Sequence, residues 1–452
     1  MRESGGRGRQ NESMSFLAAV REMADATPAD RNRAVDALRA ASILVVVFGH
    51  WLMAAVTVVD GELQTGHLLE MASWTHPATW LLQVMPVFFV VGGYANGVSW
   101  RSARRRGEGY GSWLRSRLRR LVLPVIPLLV VWGLGGWVGL QAGLDWRMLQ
   151  VASQVALVPT WFLAAYVVIV TIAPLGLWLW ERFGWWSIIG GLVLSAVADI
   201  ASIGLGWVAV GFLNYVFVWG TVHQLGYAWL DDRLGRPPRR LALAMLGLAA
   251  TLALVWLGPY PVAMVGLDTS EITNSYPPRL TLATLGIFQA GLVLAAEGPI
   301  RRWLTRLGRW RAVVAVNAQI MTLYLWHLTA MVIVIGLSLL VGGFGLGISP
   351  LSGAWWLTRP VWFAVVAIVT ALLVIGFGRF ERPRRDERPA PQAWRPILAV
   401  IGVCAGLGLL AAIGIADEHG LNGLILTLPV IGVVAGGVGG ARLYRAPESS
   451  NL

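Results

Sequence analysis

The chain has 452 residues, of which 56% are hydrophobic and 13% charged, with 24 Trp and a mean hydropathy of +0.63. A soluble domain carries nearer a quarter charged residues, so composition excludes an array of soluble domains. The net charge of +12 rests on Arg alone, with no Lys, and it lies in short clusters between apolar runs; that pattern fits membrane orientation and anionic headgroups, not nucleic acid.

Residues 1–35 are polar and Arg-bearing and read as a cytoplasmic tail. Their one apolar patch, Phe16–Val20, is too short for a signal-peptide core. Apolar runs follow at 36–59, 78–100, 121–140, 155–180, 185–205, 207–229, 240–258, 280–297, 313–342, 354–378, 396–415 and 421–440. Each approaches the ~20 residues needed to cross a bilayer. No period-2 alternation is present, so the expected fold is an all-α polytopic membrane protein of about 12 transmembrane helices. Arg-rich connections (1–39, 101–120, 230–240, 299–311 and 379–395) alternate with connections that lack Arg or carry acids, which puts both termini in the cytoplasm. A tight turn at 182–184 carries only Arg182. The 259–279 loop, with Pro259, Pro261, Pro277 and Pro278, lies on the opposite face and is long enough to contribute to a binding site there. The Arg384–Arg388 stretch with Pro383, Pro389 and Pro391 reads as a cytoplasmic linker over 381–395. It divides a ten-span core, 36–380, from a terminal helix pair, 396–440, and a cytoplasmic tail, 441–452. That pair has no ionisable residue within its spans and is taken as accessory.

Ionisable groups inside spans are costly, which singles out His50 and His327. His50 follows Arg39 by eleven residues, three turns plus a small remainder, so the two share a helix face about 16 Å apart. That spacing puts Arg39 at the cytoplasmic rim and His50 near mid-membrane. His327, in Leu323–Tyr324–Leu325–Trp326–His327, has a similar depth in the run 313–342. A hydrogen-bonded structural His is the plain alternative for each. His223 lies nearer a helix end and suits a cap; His67, His76 and His419 fall in outer loops. The six His lack i, i+4 spacing and acidic clusters, which argues against a metal. The single cysteine, Cys404, leaves no thiol nucleophile before it. Arg115, Arg117, Arg119 and Arg120 abut the run ending at Pro124; besides anchoring the span they suit an anion site, because guanidinium forks hold phosphate bidentately.

Five segments in order carry a resemblance. They are Asp36–Ala40 leading to His50, Met85–Tyr94 (MPVFFVVGGY), Arg117-x-x-Arg120–Leu121-x-x-Pro124, Thr160–Trp161–Phe162–Leu163, and Tyr324–His327. Together they resemble the acyltransferase 3 family of integral membrane O-acyltransferases over about residues 30–380. The family usually has Ser where Gly93 stands. The resemblance implies transfer of an acyl group, acetyl being the expected one, from cytoplasmic acyl-CoA to a hydroxyl of a carbohydrate or lipid-linked acceptor of a bacterial envelope, at the cytoplasmic membrane. It implies His50 as the catalytic base and Arg39, Arg117 and Arg120 on the donor side. Acyl transfer needs a base near neutral pH and donors for the developing oxyanion, for which Trp161, Tyr324 and His327 are candidates. A proton-coupled secondary transporter using His50 and His327 is the alternative, though no internal repeat accompanies it.

Overall fold

The computed structural model describes residues 16–28, 30–59, 62–266, 272–381, 389 and 391–439. The Arg384–Arg388 linker, residues 1–15 of the N-terminal tail and the 441–452 tail lie outside the described residues.

Helix α1 (Phe16–Asp25) precedes α2 (Arg33–Met53). Asn32 caps α2, its Oδ1 accepting from the Ala34 N–H at 3.1 Å. The apolar sequence continues to Val59, but the helix stops at Met53: Ala54–Val59 (β1) pairs antiparallel with Glu62–His67 (β2). β-Branched Val56, Thr57, Val58 and Val59 prefer extended backbone, which corrects the expected span of 36–59. His50 therefore sits in the last turn of α2, nearer its end than mid-helix.

Short helices α3 (Leu68–Met71) and α4 (Thr79–Leu82) lead into α5 (Met85–Arg105), with Pro86 in its first turn. Helices α6 (Tyr110–Val122) and α7 (Val125–Gln141) meet at a 42° bend. Next come α8 (Trp146–Phe183) and α9 (Trp185–Asp199). They fold back at Gly184, whose φ of +53° only glycine adopts freely, so the 182–184 turn does separate two spans. Then follow α10 (Val208–Gly211), α11 (Asn214–Leu230), α12 (Pro237–Leu257), α13 (Leu280–Ala295) and α14 (Glu297–Trp303). The run expected as one span at 313–342 is two helices, α15 (Leu307–Ala318) and α16 (Ile320–Leu340), broken at Gln319. Finally α17 (Gly353–Phe377), α18 (Trp394–Ile413) and α19 (Gly423–Ala435) complete the chain.

Among the described residues, nine helices are long and apolar enough to cross a membrane, or eleven if each bent pair counts as one span. Helix α19 answers to the twelfth expected run, but with 13 residues it is shorter than a full crossing needs. The chain is an all-α polytopic membrane protein.

In lipid the helices gain little from hydrophobicity alone, so small residues set how closely they approach. At the α5–α11 crossing a Cβ on Gly93 would overlap the His223 carbonyl, and one on Gly226 would overlap the Val90 carbonyl. Gly247 and Gly291 do the same where α12 crosses α13. The Arg-bearing connections are tied together at one end. Arg101 reaches Glu181 (3.0 Å) and Asp231 (2.6 Å), while Glu297 accepts from Arg240 (2.7 Å) and Asn32 (3.0 Å). These bonds hold the helix ends against one another at the arginine-rich side of the bundle.

Candidate active site

Helices α2 and α16 bring His50 and His327 into contact, with 2.8 Å between His50 Nδ1 and His327 Nε2. The rings are parallel within 4°. Their tautomers follow from what surrounds them. His327 Nδ1 lies 2.6 Å from the Tyr324 carbonyl, which can only accept, so Nδ1 carries the proton. Neutral His327 must then accept at Nε2, and His50 must donate from Nδ1. This assignment leaves a lone pair on His50 Nε2. Three indoles fix the pair. Trp51 Nε1 donates to the His327 carbonyl (3.1 Å), Trp362 Nε1 to the Trp51 carbonyl (3.0 Å) and Trp132 Nε1 to Thr329 Oγ1 (3.1 Å). These bonds join α2, α7, α16 and α17, and they account for part of the high Trp content: an indole buries apolar area while giving one donor.

His50 is half-buried and lines a cavity of about 1990 Å³, whereas His327 is fully buried behind it. Trp161 and Tyr324 line the same cavity. Trp161 packs edge-on against Phe162 and Tyr215. Tyr324 donates its only hydroxyl proton to the Pro159 carbonyl at 2.9 Å, and both ring nitrogens of His327 are engaged. In this arrangement neither offers a free donor for an oxyanion. Of the three expected donors, the indole of Trp161 alone presents its surface to the cavity without a protein acceptor among the described residues. His67, placed by sequence in an outer loop, comes from β2 to the cavity wall and lies near enough for its charge to bear on His50. Cys404 also lines the cavity. His223 is not a cap: it is buried within α11 with its Nε2 3.1 Å from Asn96 Nδ2, a bond that holds α11 to α5.

The three expected arginines gather at the arginine-rich end. Arg39 donates from Nε to Asn317 Oδ1 (2.6 Å) and from Nη2 to Asp36 Oδ1 (3.0 Å). Asp36 is buried and also accepts from Arg31 at 2.7 Å, while Asn317 Nδ2 returns a bond to the Asp36 carbonyl at 2.9 Å. Outside the spans, the Asp36 carboxylate raises the Arg31 guanidinium above its ordinary value, chiefly through this hydrogen bond. Arg117 lies over the Trp113 ring at 5.9 Å and donates to the Ala95 carbonyl at 3.4 Å. Arg39, Arg117 and Arg120 lie close enough for their charges to interact, with Tyr166 beside Arg39 and Arg117. Two carboxylates, Asp36 and Glu381, face Arg31, Arg39, Arg117 and Arg120, so the cluster keeps a positive excess of the kind that suits an anion. Across from Arg120, Glu381 accepts from the Met321 N–H (3.0 Å) and the Thr322 N–H (2.9 Å), capping α16.

Between the arginines and the histidines stands a constriction. Phe88, Phe162, Tyr166 and Tyr324 meet at ring centroid distances of 5.2–6.3 Å around a void of about 20 Å³. Phe88, Phe162 and Tyr324 also line the large cavity, whereas Tyr166 belongs to the arginine side.

Sequence pattern alone missed Asn317, Tyr166, Glu381 and His67. Asp36 had a signal, lying three residues before Arg39 on one helix face. Asn317 had only its polarity within an apolar run.

The acyltransferase 3 family model, described as an acyltransferase domain, matches residues 32–379. No curated protein and no solved structure matches the chain.

Proposed function

Because the chain belongs to the acyltransferase 3 family of membrane acyltransferases, we propose that it transfers an acyl group, acetyl foremost, from acyl-CoA on the arginine-rich, cytoplasmic side of a bacterial inner membrane to a hydroxyl of an envelope carbohydrate or lipid-linked acceptor. The observation that carries this reading is the directed imidazole pair. The bond from His50 to His327 leaves Nε2 unprotonated on an imidazole that lines the cavity, as a general base requires. His327 is a positioning residue, holding one tautomer of His50 as a carboxylate does in a catalytic triad.

In the reaction the acceptor oxygen attacks the thioester carbonyl and forms a C–O bond while its proton passes to His50 Nε2. The C–S bond then breaks, and the proton leaves with the CoA thiolate. The imidazolium formed at His50 keeps its Nδ1–H bond to His327, so no proton need move between the rings. The indole N–H of Trp161 is the proposed donor to the oxyanion. Arg39, Arg117 and Arg120 are the proposed partners of the CoA phosphates. The pantetheine arm would cross the aromatic constriction, a span comparable to the rise of about 16 Å between Arg39 and His50.

Purified protein in nanodiscs, given radiolabelled acetyl-CoA and a panel of glycosides, tests the reading. Transfer to a hydroxyl, lost by about 10³-fold in His50→Ala, is the expected result. Wild-type rates in that variant would overturn it.

A further inference from the structure

The family match ends at residue 379, but the cavity around His50 does not. Helix α18, beyond the match, contributes Cys404, Ala405, Gly408, Leu409 and Ala412 to the wall. It is fixed along α8 by Gln154 Nε2 donating to the Ala412 carbonyl (2.8 Å) and by Thr160 Oγ1, whose one proton is shared between the Leu157 carbonyl of α8 (2.7 Å) and the Leu407 carbonyl (3.1 Å). At the end of α18, the Ile415 N–H donates to Ser153 Oγ at 3.0 Å. Thr160 thus belongs to a family-like segment yet anchors a helix outside the family domain. The glycines of α18 divide between two faces. A Cβ on Gly406 would meet Pro429 of α19 at 2.5 Å, whereas one on Gly408 meets nothing within 4 Å. The first face packs; the second opens on the cavity.

Part of that wall is also apolar and accessible. Val131 of α7, Met148 and Val151 of α8 and Leu409 of α18 line the cavity and are 39–47% exposed. All four are apolar and belong to helices that face lipid. A soluble glycan would lose hydrogen bonds to water along such a wall. An alkyl chain already in the bilayer pays no such cost. The donor has its own approach past the arginines and the aromatic constriction, which leaves this large cavity for the second substrate.

We propose that the Ala405–Gly408–Ala412 face of α18 is a groove for the alkyl chain of a lipid-borne hydroxyl acceptor, which reaches His50 sideways from the bilayer between α7, α8 and α18; the proposal rests on the acyltransferase reading of His50. The terminal helix pair is then a specificity element. The acceptor's hydroxyl-bearing head lies toward His50 and the polar rim at His67 and Gln83, with its chain along α18.

The test uses full-length protein in nanodiscs and a dodecyl glucoside with a diazirine at the end of its chain. Adducts are expected within 404–412, competed by excess dodecyl glucoside and not by glucose, and retained in His50→Ala. In Gly408→Phe, labelling and the preference for dodecyl over methyl glucoside as acetyl acceptor should both fall by about tenfold. Ala405→Leu, which fills the same groove with less bulk, should move both in the same direction. Uncompeted labelling, or labelling only on the outer face of α17 around Leu372 and Ile375, overturns the groove, as does equal use of both glucosides by the wild type. If competed labelling at 404–412 persists but no glycoside is acetylated, the groove stands and the acyltransferase reading fails.

Discussion

His50 is defined less by its own position than by the hydrogen bond behind it. The neighbouring imidazole fixes which nitrogen carries the lone pair, so His327→Ala is expected to lower kcat by about 10²-fold while acyl-CoA still binds, a split that steady-state kinetics and donor titration would read. An Ala variant with unchanged kcat would remove His327 from the mechanism. Arg39 is a different case. Its guanidinium fork is held by Asp36 and Asn317, so Arg39→Ala should raise KM for acetyl-CoA by about tenfold with a lesser effect on kcat. Arg39→Lys should restore little, because an ammonium cannot make both bonds at that spacing. His50, Arg39 and their shared face were legible from the i, i+11 spacing. Their partners were not, because a hydrogen bond between α2 and α16 leaves no periodicity in either segment.

At the level of helices, the sequence shows runs of the right length but conceals where they break. The first run reads as too long a helix because hydropathy does not distinguish a lipid-facing helix from the extended Ala54–Val59 that continues it. The kink at Gln319 is hidden for the opposite reason: the polar residues there sit within a run whose average stays apolar. Gly93, read as the loss of a serine hydroxyl, is a packing residue at the α5–α11 crossing. Gly93→Ser should therefore push these helices apart and cost about 1–3 kcal/mol, seen as a lower thermal midpoint in detergent. Full stability in that variant would contradict the close crossing. Asp231, just past α11, accepts from Arg101 and Trp180, and the Arg101 guanidinium holds its carboxyl below the usual range. A depressed carboxyl contributes stability above its unfolded pKa of about 4 and loses it as pH falls further. Asp231→Asn should thus flatten the acid limb of the midpoint-versus-pH curve below about pH 4, leaving its shape near neutrality unchanged.

For the molecule as a whole, the arginine pattern marked one end of the helix bundle, and the Arg101, Arg240 and Arg39 contacts gather there. The cavity at the other end was invisible to pattern reading, since its walls come from helices far apart in sequence, α18 among them. The aromatic constriction has a consequence for the cell that has nothing to do with bond making. A void of about 20 Å³ has room for roughly one water molecule, too few to form a continuous hydrogen-bonded wire. Phe162→Ala should open such a wire and make proteoliposomes leak protons under an imposed pH gradient, whereas the wild type stays tight. Phe88, Phe162, Tyr166 and Tyr324 thereby act as an electrical insulator between the two ends of the bundle, so that an ion gradient across the membrane does not discharge through the protein.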